Sequence, residues 1–275
     1  MTAATKLTWS KEFIAFARIV EQRFGLRLEG KEYLVPSRLQ AVAADIGVDS
    51  VQQVLARACR GDHSVLSKAV EAMTTNETLF FREPHVFQSL AEYVLPELIE
   101  VADGRLTIWS AASSSGQEAY SLAITLREHF PAVVADNARI IATDISSAMI
   151  ERCRAGVYER FEVERGLDAA LAEKYFTTDG TNWTAAPELL SMVRATELNL
   201  LGPWPEIRQS DLVLLRNVLV YFSDAVKERI LRRIHDNALR PHGCLVLGGS
   251  ETMMALDTEF EARRVGTATI YVPSR

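Results

Sequence analysis

The sequence lacks the clustered cysteines and histidines that metal centres and disulfide frameworks require. Its 275 residues include three cysteines and five histidines, and no CxxC or HExxH spacing occurs. Cys59, Cys153 and Cys244 lie far apart, each in an apolar stretch. This pattern is typical of reduced, partly buried thiols and excludes the usual zinc motifs. We therefore expect a protein without a metal.

Long apolar runs are also missing. No segment approaches the roughly 18 consecutive apolar residues that a membrane-spanning helix needs. The first residues, MTAATKLTWSKE, lack the apolar core of a secretory signal. The sequence thus predicts a cytoplasmic protein that does not insert into membranes.

An excess of positive charge is absent as well. The net charge is -6 and no strong basic patch occurs, which argues against nucleic acid as a partner. The apolar share of 48% and the charged share of 24% are ordinary for a soluble protein. A chain of this length can bury a large core and supply two domains.

The glycine-rich GxGxxG fingerprint of dinucleotide-binding proteins is missing too. In its place Arg105 to Tyr120, RLTIWSAASSSGQEAY, runs from an apolar strand through small residues into a helix. A second strand, RIIATD, ends at Asp144, where an acid usually holds a ribose diol. With one glycine in the turn, a pyrophosphate cradle is disfavoured. A nucleoside without phosphates, such as S-adenosylmethionine, fits the pattern better.

The rest of the chain divides into helical and mixed parts. Four amphipathic helices are predicted first, starting near Ser10, Pro36, Asp49 or Ser50, and Ser64. We predict the α/β class: a small N-terminal helical domain (1–75), a linker and connecting helix (76–98), and a doubly wound, Rossmann-like sheet (99–275). A small β insertion at about 156–195 is signalled by Asp179-Gly180, a typical hairpin turn.

The linker TTNETLFFREP, Thr74 to Pro84, has neither helical nor strand periodicity. One interpretation is a connector whose Phe80 and Phe81 fill the space between two domains. The segment also places asparagine, threonine and arginine beside these two phenylalanines.

Six segments together resemble the CheR-type chemoreceptor glutamate methyltransferases. They are TTNETLFFRE, WSAASSSGQEAYSLAI, IIATDIS, LNLL, LLRNVLVYF and LRPHGCLVLGGSE. Their order and spacing match the family, and the resemblance covers nearly the whole chain. It implies transfer of a methyl group from S-adenosylmethionine to glutamate side chains of chemoreceptors, with S-adenosylhomocysteine as product. The implied partner is the cytoplasmic helical region of methyl-accepting chemoreceptors, and a monomer is expected.

The resemblance also implies a set of site residues. Cofactor binding is assigned to Asn76, Thr78, Arg82, Glu118, Asp144, Asn199, Leu200, Asn217 and Val218. Within this set Asp144 would accept the ribose hydroxyls, and Glu118 would face the ammonium end of the methionine. Asn199 and Leu200 would flank the adenine. Arg82 and Tyr221 are the catalytic candidates.

Each assignment has a structural alternative. Asn217 could cap a strand end, Asp144 could cap the next helix, and Glu118 could be an ordinary first-turn acid. Tyr221 could be an aromatic side chain that packs where a strand meets a helix.

Three departures from the family pattern are visible. Gln117 and Ala119 stand where a glutamate and a proline are common. The helix after Arg38 lacks the usual basic run. The insertion hairpin, TTDGTNWTAAP, is short, so we do not expect it to tether a receptor peptide.

The implied reaction needs no strong general base, because a glutamate with a pKa of about 4.3 is already ionised at neutral pH. Arg82 can clamp one carboxylate oxygen through its planar fork while the other attacks. Tyr221 can position the carboxylate or line the methyl path. The main alternative is a non-catalytic adapter that senses S-adenosylmethionine or S-adenosylhomocysteine. A methyltransferase for nucleic acids or small molecules is disfavoured because no Asn-Pro-Pro-Tyr motif occurs, and a nicotinamide dehydrogenase because the glycine fingerprint is missing.

Overall fold

The computed structural model describes residues 11–28, 30, 32–102, 105–131, 138–205, 207 and 209–274. The contacts divide them into two compact units. One is helical and comprises residues up to Thr75 together with Tyr221–Ser223. The other holds both sheets and comprises Asn76–Val220 and Asp224–Arg275.

The helical unit contains the four predicted helices: α1 (Lys11–Phe24), α2 (Val35–Asp45), α3 (Val51–Cys59) and α4 (His63–Met73). Of the two candidate caps for α3, Ser50 is the one used, because its side chain accepts the N–H of Gln53. Helix α4 starts at His63, one residue before the predicted Ser64, and its cap is Asp62, whose carboxylate accepts the N–H of Val65 at 3.2 Å. The predicted cap Ser10 lies outside the described residues.

The α/β unit begins with a long helical segment after the linker. It comprises α5 (Pro84–Ser89), a π-helical turn (Leu90–Val94) and α6 (Leu95–Val101). Pro96 lies in the first turn of α6. Because proline has no N–H to donate and its ring crowds the preceding turn, the wider π turn before it accommodates this residue.

The main sheet has seven strands in the order β6-β2-β1-β7-β8-β10-β9. The parallel strands are β1 (Thr107–Ala111), β2 (Arg139–Asp144), β6 (Val193–Glu197), β7 (Ser210–Leu215) and β8 (Leu239–Leu247). The hairpin β9 (Phe260–Val265) and β10 (Ala268–Pro273) completes the sheet in antiparallel fashion. Every residue of β7 is buried, as expected for a central strand covered on both faces.

Helices follow three of the parallel strands, β1, β2 and β7. They are α7 (Gln117–His129), α8 (Ser147–Ala155), and α12 (Asp224–Arg233), the last extended by a π turn at Ile234–Ala238. The predicted doubly wound α/β fold is therefore confirmed. Pro241-His242-Gly243, a combination typical of turns, lies within β8. A register shift between Ser210 and Leu212 absorbs it, because proline cannot donate to the ladder.

The predicted insertion region carries a separate antiparallel sheet of order β3-β5-β4. Its strands are β3 (Val157–Glu159), β4 (Phe176–Thr178) and β5 (Asn182–Ala185), accompanied by α9 (Arg160–Glu164), α10 (Ala169–Tyr175) and α11 (Pro187–Leu190). The predicted range of about 156–195 reaches too far, because Val193 to Ala195 pair with β2 in the main sheet. Asp179 forms the expected turn, with its carboxylate accepting the N–H groups of Thr181 and Asn182.

Candidate active site

Four predicted site residues lie at or after the ends of four neighbouring parallel strands. Asp144 is the last residue of β2 and Glu118 lies in the first turn of α7, after β1. Asn199 comes two residues after β6, and Asn217 two residues after β7. Since the carboxyl ends of parallel strands share one sheet edge, these groups surround the point between β1 and β7 where the strand order reverses. Ligands of doubly wound folds bind at this point.

The turn between β1 and α7 has an unusual backbone. Ala112, Ser114 and Gly116 have positive φ angles of 56°, 51° and 94°. The N–H of Ser113 donates to the carbonyl oxygen of Thr143 at 2.8 Å, which ties the turn to the end of β2. A Cβ at Gly116 would lie 2.4 Å from Sγ of Cys153, so only glycine fits. The one glycine of this turn thus serves the turn's own packing.

Asp144 is held by the two loops around it. Its Oδ2 accepts the N–H of Ser114 at 2.8 Å, and its Oδ1 accepts the N–H of Ser146 at 2.9 Å. Asp144 does not cap the next helix, α8. That helix is capped by Ser146, whose Oγ accepts the N–H of Met149 at 3.1 Å. A carboxylate accepts up to about four hydrogen bonds, so these two amides do not exclude ribose hydroxyls. The side chain is therefore fixed in direction at the end of the strand.

Glu118 pairs with residues that the sequence analysis did not assign. Its Oε1 accepts the hydroxyl of Ser110 at 2.7 Å, and its Oε2 accepts Nη1 of Arg216 at 2.9 Å. The carboxylate keeps 13% of its side-chain surface exposed, whereas Arg216 keeps 1%. Glu118 is thus more than a first-turn acid, because its carboxylate compensates a buried cation.

Arg216 also reaches the linker. Its Nη2 donates to the carbonyl oxygen of Arg82 at 2.7 Å and to Oε2 of Glu83 at 2.8 Å. Burial tends to lower the pKa of Arg216, but the charges of Glu118 and Glu83 raise it above its ordinary value. For Glu83, partial burial raises the pKa, and the hydrogen bond and charge of Arg216 outweigh this and lower it. Both groups are therefore charged at neutral pH.

The linker is packed within the α/β unit. Phe80 is fully buried, with edge-on contacts to Tyr158 (5.0 Å between centroids) and Phe176 (5.5 Å). Phe81 packs edge-on against Phe87 at 5.1 Å, and its N–H donates to Oγ of Ser121 at 2.9 Å. Both rings therefore pack against the α/β unit.

The three polar linker residues of the predicted site differ in what anchors them. The carbonyl oxygen of Asn76 accepts the hydroxyl of Ser114 at 2.8 Å, which brings the linker to the turn after β1. Nη1 of Arg82 donates to the carbonyl oxygen of Glu77 at 3.1 Å. Thr78 is half-buried between these two anchors.

The loop after β7 carries Asn217 and Val218, both half-buried. Asn217 has a φ of 59°, and its N–H donates to Oε2 of Glu251 at 2.7 Å. The same oxygen accepts the N–H of Gly248 at 2.9 Å, and Oε1 accepts that of Leu219 at 2.7 Å. Glu251 therefore joins the loops that follow β7 and β8 at the site edge.

The loop after β6 carries Asn199 and Leu200. Oδ1 of Asn199 accepts the N–H of Leu201 at 2.9 Å, an Asx turn. Arg233 of α12 donates to the carbonyl oxygens of Leu200 (2.9 Å) and Gly202 (2.8 Å). Its guanidinium carbon lies 3.9 Å from the ring centroid of Trp204. This loop, predicted to flank adenine, is therefore shaped by a stacked arginine.

We expect Arg233→Ala to weaken binding of S-adenosylhomocysteine roughly tenfold, about 1.4 kcal/mol, because two hydrogen bonds that shape the loop are lost. Calorimetry measures the dissociation constant. Arg232→Ala is the matched control, since Arg232 is the exposed neighbour on the same helix, and it should leave the constant unchanged. If Arg233→Ala and Arg232→Ala bind S-adenosylhomocysteine with equal affinity, the loop is not part of the binding site.

Tyr221 belongs by its contacts to the helical unit. It ends a short 3₁₀ turn, Leu219–Tyr221, and its carbonyl oxygen accepts the N–H of Arg27 at 3.2 Å. Its catalytic role stays a prediction.

Sequence reasoning missed Arg216, Glu251 and Arg233. For Arg216 a signal existed: a cation that directly follows the apolar run LVLL of a central strand is expected to be buried, and a buried cation requires acidic partners. Gln117 shows why a departure from the family pattern is tolerated. It is buried, and its Nε2 donates to Oε1 of Glu162 at 3.5 Å, where a second carboxylate would be repelled.

In the described part of the chain one group of side chains has metal-ligand chemistry: His235, Asp236 and Glu259. It lies on the surface, and Nδ1 of His235 is 2.8 Å from Oδ1 of Asp236. None of the three is a predicted site residue. Within the described residues no helix is both long and apolar enough to span a bilayer.

The strand order defines a doubly wound, Rossmann-like protein with polar side chains at its switch point. Residues 76–269 match the family model described as CheR methyltransferase, SAM binding domain. The chain belongs to this CheR methyltransferase family, which confirms the resemblance seen in the sequence motifs and makes S-adenosylmethionine the cofactor.

Curated relatives match over almost the full chain. Chemotaxis protein methyltransferase 1 of Pseudomonas aeruginosa is 38% identical over 266 residues, covering 94% of this chain and 97% of the relative. Chemotaxis protein methyltransferase Cher2 of Pseudomonas putida is 37% identical over 271 residues, covering 96% and 98%. Chemotaxis protein methyltransferase of Vibrio parahaemolyticus is 37% identical over 278 residues, covering 98% and 99%.

Proposed function

We propose that the protein transfers the methyl group of S-adenosylmethionine to glutamate side chains of methyl-accepting chemoreceptors. The products are glutamate methyl esters and S-adenosylhomocysteine. The proposed partner is the cytoplasmic helical region of these receptors. The protein is proposed to act in the cytoplasm as a monomer, without nucleic acid and without membrane insertion.

The observation that carries the proposal is the arrangement of polar groups at one sheet edge. Glu118, Asp144, Asn199 and Asn217 lie at or after the ends of four adjacent parallel strands, around the switch point. Acid and amide side chains at this place suit the hydroxyls, amine and base of a nucleoside with an amino-acid tail. The hydroxyl of Ser113, buried in the turn after β1, has no partner among the described residues and is a further donor there.

When bound, S-adenosylmethionine supplies a methyl group on a positively charged sulfur, ready for displacement. Asp144 would hold the ribose, Glu118 the ammonium, and Asn199 with Leu200 the adenine. Asn76, Thr78, Asn217 and Val218 would complete the enclosure. The protein's contribution is alignment, which can lower a barrier by roughly 7–11 kcal/mol when reacting groups are held in place.

Arg82 is proposed to orient the incoming glutamate. A guanidinium has five N–H donors, and the bond to the carbonyl of Glu77 uses Nη1. The fork can therefore hold one carboxylate oxygen while the other keeps its lone pair for attack. Tyr221 is proposed to position the same carboxylate through its hydroxyl.

The test is transfer of labelled methyl groups to purified receptor cytoplasmic fragments. Label should appear on the fragment and be released by mild base, as expected of an ester. A matched fragment with glutamine at each candidate glutamate should stay unlabelled. Cofactor binding without any transfer would instead favour a cofactor-sensing adapter.

A further inference from the structure

Arg216 joins two parts of the site that are distant in sequence. One Nη atom binds Glu118 in the first turn of α7. The other binds the carbonyl oxygen of Arg82 and the carboxylate of Glu83 in the linker. The guanidinium also lies 5.6 Å from the centroid of Phe87.

The electrostatics make these contacts mutually dependent. The side chain of Arg216 is 1% exposed, so water cannot replace a lost partner. Glu83 and Glu118 share this single cation, and without it two carboxylates would repel each other. The planar fork satisfies both acids and a carbonyl at once, which the point charge of an ammonium does not.

The linker needs such a restraint. Phe81 and Glu83, on either side of Arg82, have positive φ angles of 50° and 61°. Non-glycine residues adopt this conformation at a cost and keep it only where the surroundings impose it. The carbonyl that Arg216 holds belongs to the residue between these two strained positions.

We propose that Arg216 is a positioning residue for methyl transfer. It holds the strained linker in the one path that presents the guanidinium of Arg82 to the incoming carboxylate. This inference rests on the proposed function through the role of Arg82.

The first test is Arg216→Lys, which keeps the charge and loses the fork. The rate of methyl transfer at saturating cofactor should fall at least about 20-fold, while the dissociation constant of S-adenosylhomocysteine changes less than about threefold. A rate that falls only in proportion to cofactor affinity would overturn the proposal.

The second test combines this change with Arg82→Ala. If Arg216 acts through Arg82, Arg216→Lys should reduce the remaining transfer by less than about threefold once Arg82 is absent. Equal effects of Arg216→Lys with and without Arg82 would show that Arg216 acts by another route.

A third measurement does not depend on activity. The N–H of Phe81 donates to Oγ of Ser121 and reports on the linker path. Its hydrogen exchange should be at least about tenfold faster in Arg216→Lys, with the amides of β1 and β7 unchanged. Arg263→Lys is the control, because Arg263 pairs with Glu97 on the surface of the same unit.

The outcomes separate the two proposals. An unchanged Phe81 amide overturns the positioning role whatever the activity. A fast Phe81 amide, together with absence of methyl transfer by the unaltered protein, overturns the proposed function alone. If Arg216→Lys does not fold, Glu83→Gln gives a milder version, and an unchanged Phe81 amide there also contradicts the proposal.

Discussion

Arg82→Ala should lower methyl transfer at least 100-fold, about 2.7 kcal/mol, as expected when a preorganised charged partner of the reacting group is removed. Cofactor affinity should fall less than about tenfold. The structure supplies the reason for this difference: the backbone of Arg82 is held by Arg216, and Phe80 and Phe81 keep their packing. The linker therefore retains its path when only the side chain is lost. Rapid-quench transfer to a receptor fragment and calorimetry with S-adenosylhomocysteine measure the two quantities.

Two variants serve as controls for this result. Arg82→Lys should restore transfer only in part, because an ammonium does not reproduce the fork. Tyr221→Phe should keep cofactor affinity and lower transfer more modestly, since the ring remains and only the hydroxyl is lost. Two results would contradict the catalytic role of Arg82: transfer by Arg82→Ala at the wild-type rate, or a loss of transfer no larger than the loss of cofactor affinity. Catalysis would then be assigned to Tyr221 or to alignment of the reacting groups alone.

Asp144→Ala should weaken cofactor binding by on the order of 2–3 kcal/mol, since charge-assisted hydrogen bonds to the ribose are lost. Calorimetry should show a single site in the unaltered protein, with the same affinity before and after treatment with a chelator. Binding by Asp144→Ala equal to that of the unaltered protein would contradict the ribose assignment.

The control for Asp144→Ala must separate binding from folding, because this carboxylate also accepts two backbone N–H groups. Ser146→Ala removes the adjacent helix cap and should cost about 1 kcal/mol of stability. The acid itself remains, so cofactor affinity should be nearly unchanged. Thermal unfolding of both variants, measured beside their affinities, distinguishes a lost ligand contact from a loosened turn.

Most of the sheet could be predicted because its strands are short apolar runs that end in polar residues. Ile140 to Ala142 is an example, and it lies in the strand that the segment RIIATD predicts. Strand β8 was harder. Its first half contains Pro241 and Gly243, which signal a turn in any local reading, and only the bulged pairing with β7 explains their place in a strand.

The candidate site was predictable as a set of chain positions but not as a network. Asp144 could be placed because the end of its strand is visible in the sequence, whereas Asn217 was assigned from the family resemblance. The bonds of Arg216 to Glu118 and Glu83 span 98 and 133 residues, so no local pattern reports them. The positive φ angles of Ala112, Phe81 and Glu83 could not be predicted either, because these residues favour other conformations and tertiary contacts impose this one.

The packing of Phe80 limits how the insertion can be exchanged between relatives in a chimeric protein. It is a linker residue, yet it is enclosed by Tyr158 of β3 and Phe176 of β4. Gly166 lies so close that a Cβ there would be 2.0 Å from the carbonyl oxygen of Phe80. The three-stranded insertion and the linker therefore depend on each other for their packing. If the insertion is replaced by that of a relative, the relative's linker aromatic and its glycine must be transferred with it. Otherwise the linker of the recipient loses the contacts that hold it.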